Sequence, residues 1–264
     1  MLTFSLALFL LISIVLSAVG LGGGAFYVPL LSALGYPFSI ASSTSLFLIM
    51  LTGLSAFTRF QKAKLVDWQL ALFMDFFTDL GAFAGGYTAV RFAPVYLRIA
   101  FGVVLIIAAY FIFKMQKQKG KLKPSAKKGL GYWQRDFGEE HYSLYLPAVF
   151  PITFAIGYLS GALGIAGGLL KIPIMVLWFS VPLKIAVATS SLMVGLTGLL
   201  GFGGHLFTGQ VDWKLALALG LIVIIGGQIG ARFSIKMEQK KLKQILALVL
   251  VITAGWMILK GLIT

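Results

Sequence analysis

Two stretches decide how this chain folds: Ala41–Phe57, ASSTSLFLIMLTGLSAF, and Ala186–Phe202, AVATSSLMVGLTGLLGF. Eight of the 17 positions are identical, among them Thr44/Thr189, Ser45/Ser190 and the run Leu51–Leu54 against Leu196–Leu199. The duplication extends outward from there. Val66-Asp67-Trp68 returns as Val211-Asp212-Trp213, and Gly20…Gly23-Gly24…Pro29 returns as Gly164…Gly167-Gly168…Pro173, 144 positions later. A strongly apolar half that occurs twice, with glycine interruptions at matching places, is a transporter pattern in which broken helices build a site between repeats.

Composition sets the class. Of the 264 residues, 59% are hydrophobic and 11% charged, whereas a soluble domain carries about 25% charged residues. Several uncharged stretches reach the roughly 20 residues needed to cross about 30 Å of hydrocarbon. None alternates apolar and polar residues as the strands of a membrane barrel do. The chain therefore reads as an all-α polytopic membrane protein with two homologous four-segment repeats. The apolar segments are 3–34, 40–58, 68–90 and 95–113 in the first half, and 147–179, 185–204, 213–231 and 242–263 in the second. Residues 1–113 make a first membrane repeat, 114–146 a basic linker and 147–264 a second membrane repeat. Met1–Val19 has no basic n-region and matches part of the second repeat, so it is expected to belong to the fold rather than to a cleaved signal.

Several function classes drop out. With no Cys there are no disulfides and no thiolate metal sites, and the two His are far apart in sequence, so neither a metal nor another cofactor is expected. The net charge of +14 would point to nucleic acid in a soluble protein. Here eight of the 22 Lys/Arg lie in Lys114–Arg135, and most others flank apolar segments, where topology demands them. No nucleic-acid partner is expected; the linker is placed in solvent, against anionic lipid headgroups. An intramembrane protease would need a Gly-x-Ser-Gly turn and a partner His. Gly157-Tyr-Leu-Ser160-Gly161 has one residue too many, and nothing in the sequence brings His141 or His205 to it. His205 is expected at the surface, at a span end. The chain is read as no enzyme, and a passive anion channel stays the rival to a carrier.

The first segment of each half is too long for one span and too short for two. About 32 residues of straight helix would run roughly 48 Å, yet only 12 residues separate Gly24 from Pro37. A re-entrant or broken helical hairpin with a buried glycine tip satisfies both limits, since irregular backbone at membrane depth must be sheltered by protein or water. Charge tests the topology. If each first segment crosses once, the halves are parallel, with 13 Lys/Arg inside, 8 outside and Lys171 in the membrane. If it makes no net crossing, the halves are inverted and the division is 17 inside to 4 outside. The positive-inside rule favours inversion, with a cytoplasmic linker and both termini external; a hairpin of two complete tilted arms gives the same parity.

Candidate site residues follow from this frame. The tips Gly23, Gly24, Gly167 and Gly168 allow close backbone approach, and the helix start beyond each favours anions; the bland alternative is close helix packing. Pro29 and Pro173 are expected near the start of those second arms, where a missing N–H is cheap. Thr44, Ser45, Thr189 and Ser190 offer hydroxyl donors to an oxyanion, or bond their own helices. Lys171 attracts an anion or pairs with Asp75 or Asp79, which share a helix face at i and i+4. One of the two acids is a candidate for proton coupling, or the three charges only fix packing; intramembrane charges are functional candidates by default. Asp67-Trp68 and Asp212-Trp213 look structural, Asp as helix N-cap and Trp at the membrane interface.

These motifs together resemble the sulfite exporter TauE/SafE family of membrane permeases. The resemblance rests on Gly20–Pro29 and Ala41–Ser45, their copies Gly164–Pro173 and Ala186–Ser190, the Val-Asp-Trp starts and Gly230-Ala-Arg232. It implies secondary transport of small sulfur-containing anions such as sulfite, sulfonates or sulfoacetate, coupled to protons or membrane potential. A plasma-membrane (prokaryotic inner-membrane), multi-pass location and a homodimer go with it as expectations. The linker and Asp75/Asp79 match no family feature.

Overall fold

The structure, a computed structural model, describes residues 2–117, 129–165, 167–207 and 211–238, with 241, 244, 245 and 248. The basic run 118–128 and nearly all of the segment read at 242–263 lie outside the described residues. The elements in order are α1 (Leu2–Ala18), α2 (Gly24–Ala33), α3 (Phe38–Lys62), α4 (Trp68–Thr88), α5 (Pro94–Lys117), β1 (Tyr132–Phe137), β2 (Glu140–Tyr145), α6 (Leu146–Leu163), α7 (Gly168–Leu177), α8 (Leu183–Leu206) and α9 (Trp213–Lys236). Among them α3, α6, α8 and α9 are long and apolar enough to cross a membrane.

Local chemistry explains the boundaries. α3 and α8 each start behind a proline, Pro37 and Pro182, whose φ is already helix-compatible and whose missing N–H costs nothing at a helix start, where no helical carbonyl would accept it. Asp67 and Asp212 cap α4 and α9, each accepting the N–H three residues on at 3.1 Å. The first segment of each half is broken where the glycines stand, between α1 and α2 and between α6 and α7. Pro29 and Pro173 sit at the sixth residue of α2 and α7, not in the first turn. Each therefore removes one helical hydrogen bond instead of replacing a donor that was orphaned anyway.

Equivalent helices meet reciprocally. α1 packs on α9 and α6 on α4; α3 packs on α9 and α8 on α4; α3 and α8 pack on each other. Small residues allow these approaches, as in membrane helix pairs generally. A Cβ at Gly53 would lie 2.7 Å from the Gly195 N, and one at Gly198 2.8 Å from the Met50 N. Contacts across that crossing run in opposite order: Leu46 meets Gly201, Met50 meets Gly198, and Leu54 meets Gly195. α3 and α8 are thus antiparallel. α1 instead runs with α9, Ser13 facing Gly226 and Ser17 facing Gly230, and α6 runs with α4, where Phe154 faces Gly81 and Tyr158 faces Gly85.

Part of the linker is ordered in a way its polarity did not announce. β1 and β2 form an antiparallel hairpin across Gly138-Glu139, with Phe137 opposite Glu140. Tyr142 and Leu144 are buried, and Trp133 packs against Phe73 of α4 with ring centroids 4.9 Å apart and planes tilted by 44°. Arg135 and Tyr142 both reach the fully buried Asp67 at the head of α4.

Candidate functional site

The two glycine breaks meet near the α3–α8 crossing. Gly20, Gly22 and Gly23 have φ of +74°, +68° and +103°, a region that an L side chain enters only at a cost of roughly 1–2 kcal/mol. A Cβ at Gly20 would lie 2.7 Å from the Val187 carbonyl oxygen, and one at Gly168 would lie 2.9 Å from the Gly20 carbonyl oxygen. Each break therefore touches the other half's α8 or α3 through backbone.

Repeated hydroxyls tie the breaks across the halves. Ser45 Oγ donates to the Gly164 carbonyl at 2.7 Å, and Ser190 Oγ donates to the Gly20 carbonyl at 3.0 Å. A serine has one O–H donor, so both of these residues, foreseen as substrate donors, hold a backbone carbonyl and offer a ligand only lone pairs. Thr189 Oγ1 accepts from the Asp67 N–H at 3.0 Å and keeps its own hydroxyl proton to give. Thr44 Oγ1 is buried with no hydrogen-bond partner among the described residues.

The charges gather on one side only. Lys171 is fully buried and its Nζ donates to Asp75 Oδ1 and, at 2.9 Å, to Thr197 Oγ1. Thr197 Oγ1 is also 3.2 Å from Asp75 Oδ1, so the threonine braces both ends of the ion pair. Asp79 lies one turn further along α4, half-buried, and its Oδ1 is sequestered without a partner among the described residues. The Lys171 stem folds over Gly167, whose Cβ would lie 3.0 Å from Lys171 Cε and 3.2 Å from Ser160 Oγ. At the matching place in the first half, Tyr27 OH and Thr52 Oγ1 pair at 3.2 Å with no charge. Thr52 and Thr197 belong to the repeated Leu-Thr-Gly-Leu run, which signalled them although neither was singled out.

His205 corrects an expectation. It is 1% exposed rather than at the surface. Its Nε2 donates to the Gly161 carbonyl at 3.0 Å, so the fold does bring it to the turn that holds Ser160. Ser160 Oγ, however, faces Gly167 and Lys171, and His205 is occupied with backbone.

Gly168→Val is expected to abolish transport and to destabilise the protein by about 1–3 kcal/mol through overpacking. The added carbons would meet the Gly20 carbonyl, Val194 and Ser190 Oγ, all within 3.0 Å of the Cβ position. Flux in proteoliposomes together with a thermal melt checks this; wild-type flux would remove the break from the site.

The family description sulfite exporter TauE/SafE matches residues 5–257. The chain belongs to that family. Within the TauE/SafE family it is 34% identical to the "probable membrane transporter protein YunE" of Bacillus subtilis over 93% of each chain. A "probable membrane transporter protein" of Methanocaldococcus jannaschii is 26% identical over 94% of this chain and 92% of its own. A third, YdhB of Bacillus subtilis, is 26% identical over 88% of this chain and 90% of its own. No solved structure matches the chain. Membership of the TauE/SafE family makes the chain a membrane transporter.

Proposed function

We propose that this protein is a secondary carrier of small anions, sulfur-containing ones such as sulfite, sulfonates or sulfoacetate, working by alternating access between two inverted halves. One observation carries this above the rest: the antiparallel crossing of the equivalent helices α3 and α8, each of which also holds the other half's break through the reciprocal bonds Ser45 to Gly164 and Ser190 to Gly20. An exchange of two equivalent halves about this crossing opens one face as it closes the other. The hairpin reading of the first segment is supported by helix direction: α1 runs with α9, Ser13 meeting Gly226 and Ser17 Gly230, and α3 runs with α9 too, Leu51 meeting Gly220 and Ser55 Gly227, so the intervening α2 is read as running back.

Lys171, with Thr189 and the glycine breaks, supplies the positive charge and donors for the anion. Asp79, half-buried and one turn from the Lys171–Asp75 pair, is the residue assigned to proton coupling. Asp79→Asn should lose accumulation driven by a pH gradient yet keep substrate exchange. Wild-type pH dependence in that variant would remove Asp79 from the role. The substrate is tested by flux into proteoliposomes with sulfite, sulfate, sulfoacetate and taurine, with and without imposed pH and voltage gradients. Saturable, gradient-dependent uptake of a sulfur anion is expected; no uptake of any of them contradicts the substrate class.

A plasma-membrane location with a cytoplasmic linker completes the proposal. With no native Cys, Leu34→Cys, Ser180→Cys and Glu139→Cys are unique labels. Leu34 and Ser180, in the turns before α3 and α8, should react from opposite faces, with Glu139 on the Ser180 side. Reaction of Leu34 and Ser180 from the same face would end the inverted arrangement.

A further inference from the structure

The duplicated frame is not symmetric in polarity: three positions are polar in the surroundings of the second break and apolar at their counterparts. At the spacing of the repeat, Ser42 and Ser160, beside Gly164 and Gly167, and His205, bonded to Gly161, correspond to Val187, Leu16 and Phe60. Where Val187 packs on Gly20, Ser42 packs on Gly164, whose Cβ would lie 2.5 Å from Ser42 Oγ. Ser42 is 1% exposed, and its Oγ has no hydrogen-bond partner among the described residues.

Ser42 is one of the residues lining a cavity of about 150 Å³ between the start of α3, the stretch 89–97 leading into α5, and the ends of α6 and α8. Ser39, Ser42 and His205 supply its polar lining, with Phe38, Phe92 and Leu97 among the apolar residues. No acidic side chain lines it among the described residues. Arg91, between the lining residues Val90 and Phe92, and Arg98, beside Leu97, are both exposed on this short stretch. A small chamber with no carboxylate among its described lining residues and an unused buried hydroxyl on one of them suits an anion of a few heavy atoms. A buried donor left unmade is costly, on the order of 1–3 kcal/mol.

We propose that this cavity is a substrate vestibule holding one small anion per chain against Ser42, on the side of the second break only. The symmetric frame would then carry a single, off-axis binding step. This rests on the carrier proposal above.

A Ser42→Cys variant tests it, because the chain has no other cysteine. In proteoliposomes, a negatively charged methanethiosulfonate reagent should label it roughly ten times faster than a positively charged one of equal size, an ordinary electrostatic steering effect. Sulfoacetate at about ten times its half-saturating level should slow labelling about tenfold, as simple competition requires. Val187→Cys should stay unreactive. If Ser42→Cys does not fold, Ser39→Cys at the same cavity carries the same test. Labelling that the transported anion does not slow, or that favours the cationic reagent, overturns the vestibule. Equal reactivity and protection at Val187→Cys overturns the single off-axis site. Wild-type flux without protection would leave the carrier standing and sink the vestibule. Protection without any wild-type flux would sink the carrier and keep the binding site.

Discussion

Lys171→Met is expected to lower stability by about 3–5 kcal/mol, the cost of leaving a buried charge without its partner. Lys171 is 0% and Asp75 1% exposed, so neither can turn to water when the other is removed. Asp75→Asn should cost less, because Asp79 on the same face of α4 remains to face the ammonium. Combining Lys171→Met with Asp75→Asn should restore most of the loss, since a buried pair replaced as a whole is often close to neutral. Melting temperatures of the detergent-solubilised variants measure this. Transport separates the two roles. A double variant that is stable and inactive makes the pair part of the anion pathway; one that is stable and transports normally makes it packing only.

Arg135→Ala should cost about 2–3 kcal/mol, more than a surface substitution, because it strips a charge-assisted fork from a buried carboxylate. Arg135 Nη2 is 2.8 Å from Asp67 Oδ1 and its Nε 3.0 Å from Asp67 Oδ2. Tyr142 OH donates to the same carboxylate, which also caps α4. Arg135→Lys should recover only part, since an ammonium cannot form the fork. The sign of the pH dependence follows from Tyr142. Burial first, and then the bond to Asp67, hold its phenol well above the ordinary tyrosine range. Its contribution is therefore intact below the free tyrosine value of about 10 and declines as pH rises past it. Protease cleavage at Gly138-Glu139 and thermal melts report hairpin docking. A loss within about 0.5 kcal/mol, typical of surface changes, would show that the hairpin is a passive connection.

Much of the frame was legible because it was written twice. Helix starts at Asp67 and Asp212 and the breaks at the glycines follow from local residue chemistry repeated at a fixed spacing; the Lys171–Asp75 pair has no counterpart in the first half, and the sequence offered it only as one of several roles for Lys171. The cross-half bonds were not legible. Ser45 and Ser190 stood out as hydroxyls in apolar helices, but only the crossing of α3 with α8 turns each toward the other half's break. The hairpin at Tyr132–Tyr145 was hidden by its polarity: its apolar face is short, and its anchor is an ion pair 68 residues apart in sequence. His205 misled for a related reason, since its place near a span end gave no sign of the Gly86 and Gly161 backbones that enclose it. Asymmetry between the halves, visible as Ser42 against Val187, acquires meaning only once both breaks have neighbours.

Substrate counterflow in proteoliposomes tests the carrier claim most directly. Vesicles preloaded with excess unlabelled sulfite or sulfoacetate should transiently accumulate the labelled anion above equilibrium, with an initial rate that saturates as external anion rises. That overshoot requires a site exposed to one face at a time. Uptake that rises linearly with concentration and shows no overshoot would mean a passive anion channel and would contradict the account.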